Sequence, residues 1–171
     1  FQYDAFFKRF LELLNETTQL KSLLKVFVNL INNTSTNSLP FLNDIMEFIK
    51  KKYSDDLAID FLDLINAMLF TYKDAIFKHS AEITTLLITK LDAYKTTNET
   101  ASYRILTGFK VLCIYAMDLN YLIIPQICDV VFCHQTFPGV IEEGLFCLNI
   151  VAHQVPLFPF LGPISRAIKR G

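Results

Sequence analysis

The residues with the most chemical reach in this sequence stand close together: Cys128, Cys133, His134, Cys147 and His153 are all of metal-ligand or nucleophile type. Zinc sites favour closely spaced pairs such as C-x(2–4)-C with a second pair held to match. Cys128 and Cys133 are five apart and, on a helix, point in different directions. Thiol catalysis needs a thiolate beside an activating base. Cys133 and His134 are adjacent in sequence, so their side chains diverge and do not provide that geometry. The five residues therefore read as buried cysteines and loop histidines, with no catalytic, cofactor-binding or metal-binding residue assigned. Asp55-Asp56 and Glu142-Glu143 fall at predicted helix starts, where negative charge complements the helix dipole. Lys50-Lys51-Lys52 and Lys169-Arg170 read as solvated helix ends, because a nucleic-acid surface wants a broad basic groove with aromatic platforms.

Composition agrees with that reading. Sixteen basic residues face 17 acidic ones for a net charge of −1, so no global field draws nucleic acid or an acidic membrane. Hydrophobic residues make up 52% of 171, with 16 Phe and no Trp, and glycine is scarce at 5. Asn15, Asn32, Asn33 and Asn98 each open an N-x-S/T pattern, which arises readily by chance in a chain this rich in Asn and Thr. The fourth cysteine, Cys113, also sits in apolar helical pattern, as a small buried hydrophobe does. A reduced cytoplasmic compartment is expected, with no signal peptide. Two apolar windows meet a membrane test and fail it. The first is broken at Asp118-Leu119-Asn120 and Pro125, the second by Asn149, His153, Gln154, Pro156, Pro159 and Pro163.

The elements that carry these residues follow one pattern. Phe7, Ile45, Ile83, Ile127 and Ile164 each have apolar partners three residues on (Phe10, Phe48, Leu86, Val130, Ala167) and four residues on (Leu11, Ile49, Leu87, Val131, Ile168). These anchors are 38, 38, 44 and 37 residues apart. A second register repeats with the first: Leu24, Phe27 and Val28 answer to Leu62, Ile65 and Asn66, to Phe109, Leu112 and Cys113, and to Leu148, Val151 and Ala152. Two helical stripes recurring together predict an all-α chain, an α-α superhelix of about four and a half antiparallel helix pairs. The repeats span approximately 1–33, 38–71, 74–117, 119–153 and 156–171. Thr17 or Thr18 is expected to cap the second helix, residues 32–38 to form an open polar loop, and Ser38 to cap the helix after it. Phe6 and Leu145 are expected to face inward, and Pro125 to kink its helix. Apolar residues near both ends suggest a piece cut from a longer array, whose uncovered end faces would self-associate.

The period and the helix pair resemble HEAT repeats. Pro125 falls where HEAT first helices often kink, and Asp92 with Arg104 resembles the Asp–Arg ladder between successive HEAT repeats. Arg104 has no equivalent in the other repeats, and one repeat alone carries the proline in full form, so the array departs from the consensus. The run Tyr121-Leu122-Ile123-Ile124-Pro125-Gln126-Ile127 is similar to the Y-L-x(2,3)-L-[IL]-P-x-[IL] opening of first helices in the HEAT region of the target of rapamycin kinase family. That resemblance implies a non-catalytic scaffold that binds other proteins, including subunits of a larger complex, whose parent associates peripherally with membranes. No glycine-rich phosphate loop, H-R-D or D-F-G element is present, so no small-molecule substrate is implied. A HEAT transport receptor of importin-β type and a HEAT-like nucleic-acid enzyme are the alternatives.

Overall fold

A computed structural model describes residues 3–132, 136–154 and 158–170. These residues form helices and turns, with no strand among them. They fall into two compact units, Phe1–Ile76 and Phe77–Gly171.

The first unit begins with helix α1 (Tyr3–Glu16) and helix α2 (Leu20–Thr34). After a 3-10 segment, Ser35–Phe41, come α3 (Leu42–Lys52) and α4 (Ala58–Tyr72). The first two helices each meet the helix two positions on: α2 lies closely along α4, and α1 packs on α3. Phenylalanine fills the space between them. Phe41 stacks on Phe7 at 5.1 Å, Phe10 meets Phe27 at 5.3 Å, and Phe27 reaches Phe48, which reaches Phe61 at 5.9 Å. Rings from all four helices thus touch in series, each burying a large apolar area with favourable tilted or stacked geometry. Lys52 Nζ donates to the Asn15 carbonyl at 2.8 Å, satisfying a last-turn acceptor of α1 from the end of α3.

The second unit contains α5 (Phe77–Tyr94), α6 (Glu99–Tyr115), α7 (Asn120–Val131), α8 (Pro138–Gln154) and α9 (Leu161–Arg170). Here α6 lies along α8, α5 touches α7, and α7 touches α9, beside the hairpin contacts of α5 with α6 and α7 with α8. Asn98 caps α6, its side chain accepting the Ala101 N–H at 3.0 Å. No single helix among the described residues is long and apolar enough to cross a membrane. Segments Glu99–Tyr115 and Met117–Val131 reach that hydropathy only jointly and are bent by 118° at their break.

The repeated stripes lie inside. Phe7, Phe10, Leu11, Ile45, Phe48, Ile49, Ile83, Leu87, Ile127, Val130 and Val131 are buried, and Leu86 is half-buried. The corresponding side chains at Ile164, Ala167 and Ile168 lie outside the described residues. Several local expectations are corrected. Phe6 is 41% exposed and Leu145 51%, because both stand off the narrow stripe that their helices bury. Residues 32–38 are not an open loop: α2 continues to Thr34 and passes directly into the 3-10 segment. Ser38 is not a cap. It is fully buried, accepting a hydrogen bond from Tyr72 Oη at 2.6 Å and lying 3.2 Å from Thr34 Oγ1, whose own proton goes to the Leu30 carbonyl. Thr17 turns the chain by accepting the Gln19 N–H at 2.9 Å, and Gln19 supplies the carbonyl that opens α2.

Helix α8 comes so near its neighbours at Gly144 that an added Cβ would lie 2.6 Å from Val131 Cγ2. Alanine improves helix propensity by about 1 kcal/mol, whereas overpacking beside a stiff β-branched side chain costs about 1–3 kcal/mol. Gly144→Ala is therefore expected to lower the urea midpoint, and Val131→Ala on that background to recover part of the loss relative to its effect alone. Lys73, which follows α4, has φ 49° and ψ −123°, a region that suits glycine. Relieving strain of about 1–3 kcal/mol outweighs glycine's extra chain entropy. Lys73→Gly is expected to raise the thermal midpoint; an unchanged or lower one would show that Lys73 is held without strain.

Candidate functional site

The thiols come first, since they opened the chemical reading. Cys113, Cys128 and Cys147 are free and buried. Burial pushes the Cys113 thiol up to about 12 and Cys128 up to about 11. Cys147 is raised further, by burial first and then by the nearby Glu143 charge. Its Sγ donates to the Leu106 carbonyl at 3.3 Å, tying α8 to α6. These are neutral packing groups, far from the thiolate that catalysis or metal binding requires. His153 is exposed on α8. Cys133 and His134 lie outside the described residues, and among those described no three His, Cys, Asp or Glu groups could hold a metal ion.

The carboxylates divide. Asp55 and Asp56 are exposed in a 3-10 turn ahead of α4, and Ser54 precedes them without a side-chain cap. Glu142 is exposed one turn into α8, but Glu143 is buried. It pairs with Lys110 of α6 and accepts from Thr107 Oγ1 at 3.3 Å. Lys110 Nζ also stands 5.0 Å from the centre of the Phe146 ring, over its negative face. Adjacent carboxylates on a helix point about 100° apart. Sequence reasoning took Glu142-Glu143 as one dipole-complementing pair and missed that only the second faces α6. The available signal was the apolar phase of α8, which places Glu143 beside Val140, Gly144 and Cys147. Asp92 pairs with Lys95 at 2.9 Å, and Lys95 reaches across to Asp129 of α7 at 2.9 Å. Its ammonium is raised chiefly by the hydrogen bonds to those two carboxylates.

One open polar cleft lies in the first unit, between α2 and α4. It holds about 260 Å³ and is lined by Lys25, Val28, Asn29, Asp60 and Asp63. The sequence reading singled out none of the charged groups there. Lys25 and Asp60 line one cleft because α2 and α4 lie side by side, and they are too far apart in sequence for any local pattern to join them.

Because an unfolded thiol ionises near 9.0 while Cys113 and Cys128 stay neutral to about 12 and about 11, the folded state binds more protons above pH 9. Stability conferred by the neutral thiols is complete below that value and declines as pH rises through the window. Urea midpoints measured from pH 7.5 to 10.5 are expected to fall, and to fall less steeply in Cys113→Ala. An identical slope in that variant would show that Cys113 ionises as freely folded as unfolded.

No protein-family profile, no curated protein and no solved structure matches this chain.

Proposed function

We propose that this chain is a non-catalytic protein-interaction scaffold: a HEAT-type array of antiparallel helix pairs, similar to the HEAT segments that precede the catalytic domain in the target of rapamycin kinase family, and working in the cytoplasm. The observation that carries this reading is the packing, inside each unit, of a helix on the helix two positions on: α1 with α3 and α2 with α4, and α5 with α7 and α6 with α8. Stacked pairs pack that way because one layer can hide its apolar side only against the next. The polar links agree in span. Lys52 to Asn15, Tyr72 to Ser38, Lys95 to Asp129, Thr107 to Glu143 and Cys147 to Leu106 join residues 34 to 41 apart.

Repeated layers present long rows of outward side chains, and these include large apolar ones. Tyr121 is 61% exposed, and Leu145 and Phe146 are each about half exposed. Aromatic residues displayed in this way serve as anchors at protein interfaces. The protonated thiols and the ion-paired Glu143 fit a framework better than a reaction centre.

Affinity capture of the tagged chain from its own cells, read by mass spectrometry, tests the proposal. Subunits of a protein-kinase complex are the expected recovery. A small GTPase with cargo would replace this reading with the transport receptor, and DNA-dependent catalysis by the purified chain would overturn the scaffold altogether.

A further inference from the structure

We draw no further inference here: the strongest candidate, the apolar stripe of α8 at Ile141, Leu145 and Ala152, stands partly open, and nothing in the structure shows what covers it.

Discussion

An apolar helix face can leave water only where another helix comes close along its length, whether it is one stripe, as on α1, or most of the surface, as on α4. The stripe at Phe7, Phe10, Leu11 and Leu14 is broader than the seam one neighbouring helix covers. Contact with the next helix and with the one after it covers the arc from two sides. The units meet this requirement with opposite materials. The first uses volume, a series of touching phenylalanine rings that spans α1 to α4. The second uses closeness: Ala101, Ser102, Cys113, Gly144 and Cys147 are buried on α6 and α8, and the backbone at Gly144 nearly touches Val131. Dispersion falls steeply with distance, so large side chains at wide spacing and small ones at close spacing fill the interior to similar density.

Polar groups taken inside by this packing have to find partners, and the partners available belong to the neighbouring layer. Glu143 is buried and paired with Lys110, and removing that partner would leave an uncompensated buried charge, which is strongly destabilising. Tyr72, Ser38 and Thr34 form a buried hydroxyl chain that ends on the Leu30 carbonyl at 2.8 Å. Burial raises the Tyr72 phenol above its ordinary value, so it remains the donor. Each such link fixes the register of one helix against another more sharply than apolar contact does, because a shift of one residue would strand a charge or a hydroxyl.

The helices were legible because their stripes are a local, periodic signal; eleven of the twelve described anchor-stripe positions are buried and the other is half-buried. What stayed illegible depends on partners remote in sequence. Ser38 beside Pro40 reads locally as a helix start, and only Tyr72, 34 residues on, converts it into a buried acceptor. Asn32 and Asn33 carry turn chemistry, yet the helix runs through them while Thr34 bonds back to Leu30 and Asn33 to Asn29. Phe6 and Leu145 were misplaced for a different reason. Hydrophobicity alone assigned them to the core, although their angular position on the helix puts them outside the covered arc. The α2–α4 cleft could not be found from either helix alone, because neither carries a motif there.

The polar groups already committed to structure define what is left for recognition. The Cys113, Cys128 and Cys147 thiols are held neutral, Lys52 serves the end of α1, Lys95 joins two carboxylates and Lys110 is matched to Glu143. Groups bound this way gain little from a ligand, because any new contact must first break one of equal strength. Lys25 and Asp60 carry no such penalty, and their places in the second unit are occupied by Lys110 and Phe146 in a closed seam. The contrast comes down to one pair of residues, since Leu57 offers no carboxylate where Glu143 closes on Lys110.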